Sequence, residues 1–202
     1  MAPSATGTRN RPGRQRSEAA DQAILSATLD VLATDGYGGL TMAAVIARSG
    51  VSSATLYRRW DTKQDLVAAA LASMHPAITP IDTGSLDGDV EDFVKAVSTS
   101  LSVRRDDINE DVAVALRQSA EFRAAVHEKF VAPRLAVLRQ ILEQARARGE
   151  LGPGLGVEAA MSFVVGPLHH RVYVMDEALS PAFQRGATVA ALAALRALTP
   201  PA

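Results

Sequence analysis

The 202-residue chain has no cysteine, which removes disulfides, thiolate metal sites and cysteine nucleophiles together. Long apolar runs are also missing. Nowhere do the ~18 consecutive apolar residues of a membrane helix occur, and "MAPSATGTRNRPGRQRSEAADQAIL" holds no apolar block of the secretory kind. These absences predict a cytoplasmic protein without membrane contact. Acidic residues are missing from one stretch only: residues 1–17 carry Arg9, Arg11, Arg14 and Arg16 and no acid, although the whole chain has net charge -1. The positive excess persists to Lys63, and the remainder is net acidic. A basic tip on a neutral-to-acidic body suits contact with a polyanion at one end. The chain has no G-x-S-x-G elbow, no P-loop and no dinucleotide fingerprint. Gly152, Gly154 and Gly156 precede a helical segment without the strand such motifs require. No enzyme and no cofactor is expected. Of the four histidines, His169 and His170 diverge by about 100° on a helix, no pair has i, i+4 spacing, and His75 and His127 stand alone. No metal site is predicted; these histidines read as hydrogen-bonded pocket or interface residues.

A hydrophobic content of 48% with 21% charged residues is enough for one sizeable core or two small ones, and its patterning is helical almost throughout. Ile24, Thr28, Val31 and Leu32 share a face of a first helix that Ser17 can cap and Asp35-Gly36 can end. Thr41 caps a short second helix, "MAAVIARS", which Gly50 terminates, and Ser52 caps a third. Thr62 with Asp65 reads as a capping box for a fourth. Residues 78–88 read as a linker; helical patterning then covers 90–104, 109–119, 122–148, 157–175 and 181–198. The expected division is a basic flexible arm over 1–16, a first helical domain over 17–66 and a second over 67–202.

The stretch "SGVSSATLYRRW", residues 49–60, has too thin an apolar seam for a core helix. At about 100° per residue, Leu56 and Trp60 share one face, with Ser52 and Ser53 towards its edges. Ala54 and Arg58 point the opposite way, flanked by Thr55 and Tyr57. A short helix anchored by Leu56 and Trp60 and showing small and hydroxyl residues outward can enter a major groove. Short helix, glycine turn, short helix is the helix-turn-helix arrangement.

The run "AILSATLDVLATDGYGGLTMAAVIARSGVSSATLYRRWDTKQDLVAAAL" resembles the N-terminal domain of the tetracycline-repressor (TetR) family of bacterial transcriptional regulators, through "DGYGGLT", "IARSGVSSATLYRRW" and "TKQDL". The segments "FVAPRLAVLRQILEQARARGEL" and "GPLHHRVYVMDEALSPAF" are similar to a C-terminal domain type of the same family. The resemblance implies an all-α fold, an N-terminal three-helix DNA-binding domain followed by a helical ligand-binding and dimerisation domain. It also implies a homodimer on a palindromic double-stranded DNA operator, released by a small-molecule effector. Thr41, Tyr57 and Lys63 would correspond to phosphate contacts, and Ser53, Ala54, Thr55 and Arg58 to the groove-facing group beside the capping Ser52. Physical chemistry agrees: Lys63 falls in a helix first turn that already favours phosphate, Tyr57 can donate its hydroxyl, and Arg58 can take guanine O6 and N7 bidentately. Arg14 and Arg16 would reach phosphate or the minor groove from the arm. Arg59 turns back towards Leu56, which fits an intramolecular role equally well.

"MSFVVGPLHHRVYVM" is apolar on more than one face, so it must be buried on more than one. Met161, Val165, Leu168, Val172 and Met175, with Leu192 and Leu195 of the last segment, are the candidate dimer contacts. Pro167 and Pro133 interrupt their helices, and such kinks can open space between helices. Met74, Phe93, Val97, Leu116, Phe130, Leu138 and Phe163 are candidate pocket lining. The alternative is a constitutive or architectural DNA-binding protein whose core accepts no ligand.

Overall fold

The computed structural model describes residues 12–103 and 106–200, with side chains for 17–103 and 111–200. Among them no strand occurs. The helices are α1 (Pro12–Gly39), α2 (Met42–Ser49), α3 (Ser53–Tyr57), α4 (Lys63–Ser73), α5 (Leu86–Leu101), α6 (Asp106–Gln118), α7 (Ala120–Val126), α8 (Ala132–Ala147), α9 (Val157–His169) and α10 (Pro181–Leu198). A π-helical turn at His127–Val131 joins α7 to α8, and a second at His170–Val174 extends α9.

The chain forms two compact units: Met1–Leu71 with Asp107–Arg123, and Ala72–Asp106 with Ala124–Ala202. This departs from the expected boundaries of 17–66 and 67–202, because α6 and the start of α7 join the N-terminal unit. The cause is visible at Phe122, which is fully buried and lies with its ring 4.6 Å from that of Tyr37. A second difference concerns the arm expected over 1–16. Helix α1 begins at Pro12, whose fixed φ suits a first helical turn. Arg14 and Arg16 therefore have helical backbone; their side chains, and residues 1–11, lie outside the described residues.

In the N-terminal unit, Ile24, Val31 and Leu32 of α1, Val45 of α2, Leu56 of α3 and Leu66 and Val67 of α4 are all buried. Thr28 is buried among them at no polar cost, its hydroxyl donating to the Ile24 carbonyl at 2.8 Å. Gly36, with φ 66°, breaks the helical path of α1, and the Leu40 amide closes the turn on its carbonyl at 3.1 Å. Only glycine suits that position, since a Cβ there would sit 2.2 Å from the Asp111 carboxylate.

In the C-terminal unit, α5 supplies Val90, Phe93, Val94 and Val97, α8 supplies Leu138, Ile141 and Leu142, α9 supplies Ala160, Val164 and Leu168, and α10 supplies Ala191, Leu192 and Leu195 to one core. Helix α5 starts at Leu86, inside the expected linker, because Ser85 caps it by accepting from the Gly88 amide at 3.2 Å. Its first turn is pinned by Asp89, fully buried, which accepts from the Thr83 amide at 2.6 Å, the Thr83 hydroxyl at 2.8 Å and the Arg148 guanidinium at 2.9 Å. Burial alone would raise the Asp89 pKa, but these donors hold its carboxyl below the ordinary range.

The candidate dimer stripe divides differently from the sequence expectation. Val165, Leu168, Val172, Leu192 and Leu195 are buried within this unit's own core, and Met161 is half-buried; Met175 alone of the seven is exposed. Both stripes of α9 are apolar, so composition could not say which one turned inward. The outward one is Ala159, Ser162, Phe163 and Pro167, beside Gly186, Val189, Ala190, Ala193 and Ala197 of α10, all exposed, with Gly166 half-buried among them. Phe163 and Val189 are 43% and 67% exposed.

Candidate nucleic-acid interface

The turn between α2 and α3 is set by local chemistry. Thr41 accepts from the Ala44 amide at 3.1 Å and starts α2. Gly50, at φ 70°, is in the left-handed region that suits glycine, and its amide closes on the Ile46 carbonyl at 3.1 Å. Ser52 then accepts from the Thr55 amide at 3.3 Å and starts α3, and the two hydroxyls lie 2.9 Å apart. Leu56 is fully buried and Trp60 half-buried, so α3 is held from beneath. Arg59 adds a cross-tie: it pairs with Asp21, donates to the Thr55 carbonyl at 3.0 Å and to the Ser17 hydroxyl at 3.0 Å. It thereby fastens the C-terminal end of α3 to α1, as its direction on the helix allowed.

What remains outward is the opposite face. Ser52, Ser53, Ala54, Tyr57 and Arg58 are exposed, and Thr55 is half-buried with its hydroxyl at the cap. The Tyr57 hydroxyl and the Arg58 guanidinium have no partner among the described residues. Thr41 is exposed too, and a hydroxyl that accepts the cap bond keeps its own proton to donate. The result is a five-residue helix fixed on its inner side, with neutral small groups and one guanidinium facing solvent.

Lys63 has a partner within the chain. Its ammonium donates to the Tyr37 carbonyl and lies 4.4 Å from the centre of the Tyr37 ring. Burial lowers its pKa. Burial, then the charge of Glu121, raises that of Tyr37. One of the ammonium's three N–H donors thus joins α4 to the end of α1. The separation of 26 residues hides this from any local pattern.

Two family models match the chain. One described as "Bacterial regulatory proteins, tetR family" covers residues 24–70, and one described as "Tetracyclin repressor-like, C-terminal domain" covers residues 80–192. The chain belongs to the TetR family. As a member, it is a DNA-binding transcriptional regulator, in a family of regulators and not of enzymes. It is 25% identical over 177 residues to the uncharacterised HTH-type transcriptional regulator YdeS of Bacillus subtilis (strain 168), covering 87% of this chain and 89% of that one. It is 28% identical over 161 residues to the DNA-binding transcriptional repressor TetR of Mycobacteroides abscessus, covering 78% and 84%. The crystal structure of the TetR family transcription regulator SCO0332 superposes with a TM-score of 0.63 at 25% identity, covering 86% of this chain and 97% of that one. FrrA, a flavonoid-responsive regulator, shares the fold with a TM-score of 0.69 at 21% identity over 92% of this chain and 100% of that one.

The C-terminal unit of this TetR-family chain encloses a cavity of about 70 Å³. Val97, Leu101, Phe130, Val131, Met161 and Val165 form its apolar walls, and Ser100, Arg134 and His169 its polar side. Of the seven sequence candidates, Val97 and Phe130 line it. Phe93 and Leu138 are fully buried core, Met74 is half-buried outside the lining, Leu116 belongs to the N-terminal unit, and Phe163 faces solvent. Sequence reasoning missed Arg134. Its signal was a guanidinium four residues after Phe130 on the same helical face as Leu138. Arg134 donates to the Phe130 carbonyl at 2.6 Å and to the Ser100 hydroxyl at 2.8 Å, and its guanidinium lies 3.6 Å from the Phe130 ring centre. His75 closes the same cluster, its Nδ1 2.9 Å from the Ser100 carbonyl and its ring edge-on to Phe130. Among the described residues no helix is long and apolar enough to cross a membrane, and no group of histidines and carboxylates could hold a metal.

Proposed function

We propose that this chain is a homodimeric repressor that holds a palindromic operator and releases it when a small molecule enters the cavity of the C-terminal unit. The observation that carries the DNA-binding part is the division of α3: Leu56 and Arg59 are committed inward, while Ser53, Ala54, Tyr57 and Arg58 have nothing to hold inside the chain. In this reading Thr41 and Tyr57 donate to phosphates and set the register, Arg58 reads a base edge, and Ser53 and Ala54 leave room for the groove wall. Repression is supported by the similar Mycobacteroides abscessus protein, a repressor by name. The outward apolar faces of α9 and α10 supply the dimer contact, since an apolar surface of this kind is stable when covered.

Two copies present two α3 helices, so an operator of two inverted half-sites about one helical turn apart is expected. The test is to sequence genomic fragments retained by the purified full chain and to measure the binding of one recovered site. An inverted repeat bound by the dimer is the expected result; fragments with no common inverted repeat would overturn the reading. Binding of that site that no small molecule relieves would favour a constitutive DNA-binding protein instead.

A further inference from the structure

We infer that the cavity of the C-terminal unit is a receptor for a small monocarboxylic acid, with Arg134 as the residue that takes the carboxylate and His169 beside it in the lining. This rests on the effector reading above and gives the effector its chemical class. Arg134 is half-buried on α8 and lines the cavity. A guanidinium has five N–H donors; its two bonds, to the Phe130 carbonyl and the Ser100 hydroxyl, leave donors unspent and bring no negative charge. Among the described residues no carboxylate lies within ion-pair distance of it. Two other half-buried arginines face carboxylates, Arg59 on Asp21 and Arg171 on Glu177; the third, Arg146, donates to the Gly152 and Leu155 carbonyls and does not line the cavity. A cation held out of water without a counter-charge is unfavourable, and an anion entering the cavity relieves it.

The other wall residues narrow the class further. His169 lies at the rim, partly open to solvent, with its ring edge-on to Tyr173 at 5.6 Å. Desolvation, then the neighbouring Arg134 charge, lowers its pKa. Neither a lysine nor a second arginine lines the cavity, which matches one negative charge better than two. A cationic ligand or a metal ion would meet Arg134 as a repulsion. A neutral apolar ligand would fill the space between Val97, Met161 and Val165 and leave the guanidinium unmatched.

Size sets the last limit. About 70 Å³ is less than half of the roughly 150 Å³ that admits benzene in an apolar cavity. The acid is thus short, or the wall yields. The part of the wall built to yield is on the page: Phe130 and Val131 lie within the first π-helical turn, and His169 directly precedes the second. In each the hydrogen bonding skips one residue further than in an α-helix, from the Ala132 amide to His127 and from the Met175 amide to His170. Such turns recur at functional sites and carry an extra residue that can be redistributed along the helix.

The experiment is calorimetric and thermal-shift titration of the full chain with butyrate, hexanoate and benzoate, each against its isosteric amide. At least one acid should bind tenfold or more tightly than its amide and raise the melting temperature. Arg134→Met should abolish that preference and Arg134→Lys should keep part of it, both with wild-type circular dichroism. Should the Arg134 variants lose structure, Val97→Phe fills the cavity without touching the guanidinium and must block the acid. Amides that bind as well as acids, acids that bind Arg134→Met unchanged, or no binding by any of the three acids would overturn the inference. Operator binding measured on the same samples separates the two claims. An acid that binds through Arg134 yet leaves operator binding unaltered overturns the effector reading and not the site.

Discussion

Arg58 and Lys63 are five residues apart and make opposite commitments. The Arg58 side chain is exposed and has no partner among the described residues, whereas Lys63 is joined to Tyr37 through its carbonyl and ring. Arg58→Ala is therefore expected to change which base pairs an operator library prefers, at about 1–3 kcal/mol for a lost bidentate contact. A uniform loss with unchanged preference would move Arg58 to the phosphate contacts. Lys63→Met should leave the salt dependence of DNA binding unchanged while lowering the melting temperature of the N-terminal unit. A fall of about one in the salt slope would restore the phosphate role. The outward placing of Ser53, Ala54, Tyr57 and Arg58 was legible in the sequence because it follows from position on one short helix. The fate of Lys63 was not, since its partner is a carbonyl on a distant helix end, and carbonyls leave no mark in a sequence pattern.

At the level of elements, the caps explain what could be read. Thr41, Gly50, Ser52 and Thr62 act within three or four residues, so the bounds of α2 and the starts of α3 and α4 followed from the sequence, whereas α3 ends at Tyr57, short of Trp60. Helix α5 was harder. Gly88 looks like linker, but it sits in the first turn because a Cβ there would approach the Thr83 hydroxyl to 2.4 Å. The same turn predicts an acid-sensitive joint. Asp89 has a folded pKa below its unfolded value, so its stabilisation is complete above the unfolded value near 4 and is lost as pH falls through the folded one. Asp89→Ala should destabilise the C-terminal unit by about 2–3 kcal/mol, because the Thr83 amide and Arg148 lose a charged acceptor. Thermal melts from pH 3 to 7 should show the variant and wild type converging at the acid end. A constant gap across that range would mean that packing, not charge, is what Asp89 supplies.

For the whole molecule the question is which surface pairs with a second copy. Leu168→Glu would place a charge in the core, where Leu168 is fully buried, and so would report on folding and not on assembly. Gly186 is the better probe. It is exposed, and a Cβ there meets nothing within 4 Å. Gly186→Leu should raise helix propensity by about 0.5–1 kcal/mol within one copy while holding two copies apart. Sedimentation is expected to show a dimer for the wild type and monomers with intact helical signal for the variant, with weakened operator binding. A variant that stays dimeric would place the contact on another face. The all-helical fold and the presence of an apolar surplus in the last two helices were legible in advance. The direction of that surplus was not, since Val165 and Phe163 have similar hydropathy and only the packing of α5, α8 and α10 decides which of them is covered.

The inward fastening of α3 has a consequence for how this regulator can change. Because Leu56 and Arg59 fix the helix from within, the side chains at Ser53, Ala54, Tyr57 and Arg58 can vary with little effect on folding. Divergence of DNA address is thus separated from survival of the scaffold. A duplicated copy could drift to a new operator by surface substitutions of near-neutral stability, while its C-terminal unit and the cavity there, which none of those residues lines, stay as they are.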